Sequence, residues 1–140
     1  MARPTRETWE IWYPKAQRLD ALVAMTQEAC DRYFHDLKPE GALIVDADRV
    51  AHPPTSTALS IPISRLVREA LGRDVFANVA ALGVLAAATG IVSAQALAAA
   101  LAARVPPGTE EANQKALAVG FEAGREALRT RQAEEFTADA

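Results

Sequence analysis

The stretch from Val75 to Ala103 contains no charged residue, and it constrains the fold of this 140-residue chain more than any other feature. A run of this length could cross a membrane, because about 20 apolar residues suffice to span the hydrocarbon core. Much of the run is alanine, however, and Gly90 and Ser93 interrupt its middle. Glycine commonly ends a helix and serine commonly begins one. We therefore expect two shorter helices, about 75–89 and 94–104, and no membrane span.

The first of these helices is apolar on all sides, which requires burial on all sides. A single domain of 140 residues with a modest sheet can hardly bury such a helix alone. The sequence therefore predicts that part of the surface of helix 75–89 meets another subunit.

The first half of the chain has the pattern of a β-α-β unit. The apolar run Leu19–Met25 predicts a buried strand, and Thr26 then caps a helix that runs to about Leu37. The segment Lys38–Gly41 supplies a proline and a glycine for a turn, and the apolar run Gly41–Asp46 predicts a second strand. Two strands joined by a helix are almost always parallel, which indicates an α/β fold.

The remaining elements follow from shorter signals. We expect a partly exposed strand at Thr8–Tyr13, a short strand at about 58–63, a helix capped by Ser64 that ends near Leu71, and a last helix after Thr109. The last helix carries, on roughly one face, Asn113, Leu117, Gly120, Phe121, Gly124 and Leu128. The predicted domain therefore covers residues 1–130, and residues 131–140 form a flexible acidic tail.

Composition excludes several classes of function. The net charge is −3, so there is no basic excess to bind a nucleic acid backbone. Cys30 is the only cysteine, which excludes an internal disulfide and fits a reducing, cytoplasmic compartment. Together with His35 and His52 it supplies too few ligands for an iron–sulfur cluster or a structural zinc site. Any metal chemistry must therefore belong to a partner.

No catalytic motif is present in the sequence. It lacks the glycine-rich loops that hold dinucleotide or nucleotide phosphates, and it lacks the G-x-S-x-G nucleophile turn. Asp46 and Asp48 could bind a cation at the end of a strand, but no third oxygen ligand follows, so a strand end with a solvated turn is favoured. Cys30 could be a nucleophilic thiolate, but Glu28 and Asp31 would raise its pKa, so a packed thiol is favoured.

The order of several short blocks is more specific than any single residue. The blocks are Leu22–Ala29 (LVAMTQEA), Leu37–Asp46 (LKPEGALIVD), Asn78–Gly83 (NVAALG) and Thr89–Ser93 (TGIVS). In this order they strongly resemble the gamma subunit of 2-oxoacid:ferredoxin oxidoreductases. Asn113, with Ala116 and Gly120, is similar to the last helix of that family, so the resemblance covers about Ile11 to Gly124.

The resemblance implies a complex that converts a 2-oxoacid and coenzyme A to acyl-CoA and carbon dioxide, with ferredoxin as acceptor. It implies thiamine diphosphate, magnesium and [4Fe-4S] clusters on thiamine-binding alpha and beta subunits and a ferredoxin-like or other electron-transfer subunit, and no cofactor on this chain. The implied role is a non-catalytic subunit that helps to shape the assembled site. On this likeness Gln27, Asn78 and Asn113 are candidates for contacts across the interface, although Gln27 could equally be an ordinary first-turn residue.

One departure from the family concerns the beginning of the chain. Members of the family usually begin further upstream, with a strand, a glycine-rich turn and a helix. The expected fold is therefore an incomplete Rossmann-like three-layer sandwich with a mostly parallel sheet and a helical C-terminal half. Either the true start lies upstream, or a partner completes the sheet of a shortened form. An uncovered sheet edge favours aggregation, so we expect poor behaviour of the chain alone. The alternative function is a truncated relative that acts as a scaffold or regulator.

Overall fold

The structure, a computed structural model, describes residues 18–139. The predicted strand Thr8–Tyr13 lies outside the described residues. Along the chain the elements are β1 (Leu19–Ala24), α1 (Gln27–Tyr33), a 3-10 turn (Phe34–Asp36), β2 (Leu37–Asp46), β3 (Leu59–Ile61), α2 (Ile63–Leu71), α3 (Ala77–Thr89), α4 (Ala94–Arg104) and α5 (Glu110–Asp139). No helix among these described residues is both long enough and apolar enough to cross a membrane.

The three strands form one parallel sheet in the order β1-β2-β3. Val23 lies opposite Ile44, and Ile44 in turn lies opposite Leu59. The β-α-β unit and the α/β class predicted from the apolar runs are therefore confirmed, and the C-terminal half is helical as expected.

Alternation along β2 builds a core on each face of the sheet. Ile44 packs with α2 and α3 in one cluster, through residues such as Val67 and Val84. Leu43 and Val45 face the other side, where they pack with Cys30 of α1. Successive strand residues point to opposite faces, so the sheet lies between a helix layer made by α1 and a second layer made by α2, α3 and α5. This arrangement is the expected three-layer sandwich.

The connection from α1 to β2 differs from the prediction. α1 ends at Tyr33 rather than near Leu37, and β2 begins at Leu37, so the segment predicted as a turn is part of the strand. The register shifts here, because Leu19 pairs with Leu37 whereas Ala21 already pairs with Ala42. Pro39 lies in this irregular part of β2, between the paired residues Leu37 and Ala42, where a residue that cannot donate to the ladder is tolerated.

The start of α2 also differs from the prediction. β3 covers only Leu59–Ile61, and Pro62 precedes the first helical residue, Ile63. Ser64 is therefore not the cap but lies inside the first turn, where it is 2 % exposed. Its hydroxyl bonds to a carboxylate on the preceding strand, a long-range partner that local sequence does not reveal.

In the helical half, glycines allow α3 and α5 to pack closely against each other. A Cβ on Gly120 of α5 would lie 1.8 Å from the carbonyl oxygen of Ala80 on α3, and a Cβ on Gly83 would lie 2.3 Å from the carbonyl oxygen of Leu117. Neither helix could approach the other so closely with a larger residue at these positions. The backbones of α3 and α5 are thus in direct contact.

The predicted break between the two alanine-rich helices is confirmed. Gly90 ends α3 with a φ of 69°, and the Ser93 hydroxyl accepts a hydrogen bond from the Ala96 N–H at the start of α4. The last helix was predicted to end near Arg131, but α5 continues to Asp139. Its predicted start after Thr109 is correct, although the Thr109 hydroxyl donates to the carbonyl oxygen of Pro106. The division into a domain 1–130 and a tail 131–140 stays a prediction.

Candidate interaction surface

Polar side chains gather where the strands end at the carboxyl edge of the sheet. Asp46, the last residue of β2, is fully buried. It accepts a 2.5 Å hydrogen bond from the Ser64 hydroxyl and a 3.3 Å bond from the Ser64 N–H. The N–H groups of a first helical turn have no partner within the helix, and a carboxylate near them is favourable. The expectation that Asp46 is solvated was therefore wrong, because this carboxylate caps α2 from the sheet.

Side-chain hydrogen bonds join the loop between β2 and β3 to α1 and α2. The Gln27 amide makes two bonds to the backbone of one loop residue: its Nε2 donates to the His52 carbonyl oxygen at 3.0 Å, and its Oε1 accepts from the His52 N–H at 2.9 Å. The Asp48 carboxylate accepts two bonds from the Arg65 guanidinium, at 3.0 and 3.1 Å. These contacts hold the loop in a defined position at the edge where open α/β sheets bind ligands and partners.

Gln27 is thus more than an ordinary first-turn residue. It lies at the beginning of α1, immediately after Thr26, whose side chain accepts from the Ala29 N–H as predicted for an N-cap. Its amide also donates to Asp31 at 2.9 Å. The side chain is half-buried, and it orders the loop that flanks the carboxyl edge. Whether it also contacts a partner stays a prediction.

Asn78 lies in the first turn of α3 and is exposed. It belongs to the exposed side of α3, here called the α3 face, which we define by Asn78 and Leu82; Val75 and Ile91 flank the helix at its two ends. Val75 is 59 % exposed, Leu82 39 % and Ile91 62 %. The neighbouring helix α4 contains no buried residue. Exposed apolar side chains are thus present on α3 and at both of its ends.

Sequence reasoning identified helix 75–89 but not the residues that form its exposed face. Leu82 follows Asn78 by four residues, a spacing that places both on one side of a helix. Because alanine and leucine occur all round this helix, hydropathy alone gives no preferred direction, and only the glycine contacts with α5 fix which side is buried.

Asn113 is 5 % exposed, and its Nδ2 donates to the carbonyl oxygen of Thr109 at 2.9 Å. It packs inside this chain beside Ala116 and Leu117, which are also buried. Within residues 18–139 no hydrogen bond joins Gln27, Asn78 and Asn113 to one another. The three candidate residues thus occupy separate elements, and their predicted interface role stays a prediction.

Cys30 is fully buried against the sheet. Burial raises the pKa of its thiol, and the Asp31 carboxylate adds to the shift. Both effects disfavour the thiolate, so the packed thiol that the sequence favours is confirmed. Among the described residues no group of three or more histidine, cysteine, aspartate and glutamate side chains could hold a metal ion.

An open groove of about 680 Å³ runs between β3 and α5. Its wall is mainly apolar, with Ile61, Leu66 and Ala123, and Glu126 and Arg131 are among its charged residues. Arg131 also donates to the carbonyl oxygen of Ala58 at 2.9 Å, which ties α5 to the beginning of β3. The groove is therefore an open, largely apolar surface with charged residues contributed by α5.

The chain is similar in sequence to a known family and to named proteins. The family model described as pyruvate ferredoxin/flavodoxin oxidoreductase matches residues 5–123. The 2-oxoglutarate synthase subunit KorC of Methanothermobacter thermautotrophicus is 42 % identical over 127 residues, which cover 85 % of this chain and 65 % of that protein. The protein of the same name from Methanocaldococcus jannaschii is 36 % identical over 120 residues, covering 83 % of this chain and 64 % of its own length.

Two solved structures have the same fold. The gamma subunit of a keto/oxoacid ferredoxin oxidoreductase from Geobacter sulfurreducens has a TM-score of 0.73 and 42 % identity, over 79 % of this chain and 65 % of that one. The pyruvate oxidoreductase subunit PORC from Thermotoga maritima has a TM-score of 0.62 at 20 % identity, over 76 % and 64 % of the two chains. The chain spans about 65 % of the length of the curated relatives that it matches.

Proposed function

Because the chain belongs to the pyruvate ferredoxin/flavodoxin oxidoreductase family, we propose that it is the gamma-type subunit of a thiamine diphosphate-dependent 2-oxoacid:ferredoxin oxidoreductase. The complex would convert a 2-oxoacid and coenzyme A to acyl-CoA and carbon dioxide and pass the electrons to ferredoxin or another acceptor in the cytoplasm. The observation that carries the proposal is the 42 % identity to proteins named as subunits of such enzymes, over most of this chain.

In this proposal the cofactors belong to the partner subunits. Thiamine diphosphate and magnesium bind the alpha and beta subunits, and the [4Fe-4S] clusters bind there or on an electron-transfer subunit. The count of ligands in the sequence supports this division, because the chain has one cysteine whereas a [4Fe-4S] cluster takes about four thiolates. The contribution of this chain is then to position its partners and to exclude water from the assembled site.

The α3 face is the surface that we assign to this contact. Leu82 on this face and Val75 and Ile91 at the two ends of α3 are exposed, and exposed apolar surface is typical of protein–protein interfaces. Asn78 would supply a hydrogen-bonding group within the apolar region. Gln27 would act through the loop that it orders, and Asn113 would support the surface from inside the helical layer.

Purification of the tagged chain from its own cells tests the proposal. We expect it to bring down subunits that carry thiamine diphosphate, and we expect the purified assembly to reduce a viologen dye when a 2-oxoacid and coenzyme A are both present. Deletion of the gene should abolish or strongly weaken this activity. If thiamine-binding subunits come down but activity persists at full level without the chain, the scaffold or regulatory function is correct instead. If no thiamine-binding subunit comes down, the proposed complex is wrong.

A pair of variants tests the α3 face itself. Leu82→Glu introduces a charge into the apolar surface, and we expect it to weaken assembly at least about tenfold, since an unpaired charge in an interface is costly. Ala118→Glu introduces the same charge at an exposed position of α5 and serves as the control. Both variants should keep the helical circular dichroism of the parent. Equal assembly of the two variants would show that the partner binds elsewhere.

A further inference from the structure

The C-terminal half of α5 presents an exposed face that no role proposed above uses. Phe136 is 79 % exposed, the highest value among the large hydrophobic residues of the described chain. Residues three and four positions apart share one side of a helix. On this basis one side of α5, here called the α5 seam, contains Arg125, Leu128, Arg129, Gln132, Glu135 and Phe136. Leu128, at the edge of the seam, is half-buried and also lines a pocket against β2, whereas the other five residues are exposed.

The α5 seam is complementary to itself in the antiparallel direction. If two copies of the helix cross with Gln132 opposite Gln132, then Leu128 of each copy lies opposite Phe136 of the other. In the same register Arg129 lies opposite Glu135. Two apolar pairs and two ion pairs form at once, because a two-fold axis repeats every contact. We propose that the α5 seam binds a second copy of this chain in this antiparallel register.

The distribution of charge favours a second copy over a solvated helix. Along the α5 seam the basic residues Arg125 and Arg129 come first, and the acidic residue Glu135 comes after them. Such an asymmetry places like charges together in a parallel pair and opposite charges together in an antiparallel pair. Within residues 18–139 no ion pair uses Glu135, so its carboxylate is available to the other copy.

The arginines of the seam form only exposed ion pairs within their own chain. Arg125 pairs with Glu122 at 3.7 Å, and Arg129 pairs with Glu126 at 2.8 Å, and both arginine side chains are more than half exposed. Exposed pairs of this kind contribute little to stability. Turning either guanidinium toward another molecule therefore costs little.

The size of the seam sets the strength of the association. About fifteen helical residues extend about 22 Å, and a single helix pair of this length buries less than the roughly 1,200 Å² of a standard stable interface. We therefore expect a weak and reversible dimer whose population rises with concentration. Because this dimer uses α5 and not the α3 face, the inference does not depend on the proposed function.

Charge reversal in the full chain tests the register. Arg129→Glu places glutamates opposite each other at two symmetric sites, and Glu135→Arg places arginines there. Each variant should raise the dimer dissociation constant about tenfold or more in sedimentation velocity. A mixture of the two variants should associate about as strongly as the parent, since the mixed dimer has one ion pair in the original orientation and one in the reversed orientation. A misfolded variant could not give this rescue.

The control for these variants is Lys115→Glu, which makes the same charge change at an exposed position of α5 far from the seam. It should leave the dissociation constant within about twofold of the parent, because distant surface charges interact weakly at physiological salt. If the single reversals have no effect, or if the mixture fails to recover, the antiparallel register is wrong.

Cysteine cross-linking provides a second test that works in intact cells and so does not require a soluble isolated chain. Gln132→Cys would place two thiols at the two-fold axis, within the Cα separation of about 4.4–6.8 Å that a disulfide needs. Mild oxidation should then give a covalent dimer. Thr130→Cys, on the opposite side of α5, should not. The buried Cys30 does not compete. Absence of the Gln132→Cys dimer, or an equal yield from Thr130→Cys, would overturn the proposal.

Discussion

The backbone contact between α3 and α5 at Gly120 gives a sharp stability prediction. Gly120→Ala adds a Cβ that would lie 1.8 Å from the carbonyl oxygen of Ala80, where an ordinary van der Waals contact needs at least about 3.4 Å. The atom in its way is backbone, so no side-chain rotation relieves the clash. We expect α3 and α5 to separate by roughly 1.6 Å at this point.

The cost of this separation can be worked from its parts. A gap of 0.5–1 Å already forfeits about a quarter to a half of a dispersion contact, so the neighbouring contacts between the two helices are largely lost. Overpacking typically costs about 1–3 kcal/mol and occasionally more, whereas replacing a helical glycine by alanine returns about 1 kcal/mol of helix propensity. With a clash between two backbones we place the net loss at about 3 kcal/mol, a large part of the 5–15 kcal/mol that stabilises a typical domain.

Urea unfolding followed by far-ultraviolet circular dichroism measures this loss. The other two glycines of this contact give a graded series, because the nearest atom to an added Cβ lies at 2.3 Å for Gly83 and at 2.9 Å for Gly124. The destabilisation should therefore fall from Gly120→Ala to Gly83→Ala to Gly124→Ala. Ala118→Gly, at an exposed position, gives the propensity effect alone. If Gly120→Ala were as stable as the parent, or more stable, the close contact of α3 and α5 would be refuted.

Two further variants probe the buried groups on the sheet. Asp46→Asn removes the charge that caps α2 but keeps the shape, and it should cost about 1–2 kcal/mol in urea unfolding; Ser64→Ala should cost a similar amount, and the double variant should cost less than the sum. Strict additivity would contradict the bond between them. The pKa of the Cys30 thiol is raised in the folded chain by burial and by Asp31. The free energy of unfolding should therefore be constant below the pKa of the unfolded thiol, about 8.5, and it should fall as pH rises through the pKa of the folded thiol. Cys30→Ala should lose this alkaline decline, and an unchanged decline would assign it to other groups.

The elements that sequence reasoning located correctly are those fixed by local patterns. Apolar runs identified β1 and β2. At the break, glycine identified the end of α3 and serine identified the beginning of α4. These signals succeed because hydrophobic periodicity and capping act within a few residues. The three-layer order follows from them, since strands joined by helices have few ways to bury both faces of a sheet.

The errors have a common cause, which is a partner distant in sequence. Pro39 and Gly41 normally end an element, but here they lie within β2, between Leu37 and Ala42, which both pair with β1. Ser64 has the composition of a cap, but its hydroxyl is directed to Asp46, 18 residues earlier. The exposed side of α3 has no sequence signature, because the direction is set by Gly120 on a helix that follows much later. Interactions of this kind become visible only once the fold is known.

The contact with α5 on one side of α3 fixes the position of the opposite, exposed side. The side toward α5 is fixed by backbone contacts at Gly83 and Gly120, which leave little freedom for the helix to shift or rotate. The opposite side presents Leu82 at 39 % exposure. A rigid apolar surface loses less entropy on binding than a mobile one. Gly120→Ala should therefore weaken assembly with partner subunits even in preparations that remain folded, and by more than Gly124→Ala. Equal assembly of these two variants would show that the rigidity of α3 is irrelevant to the contact.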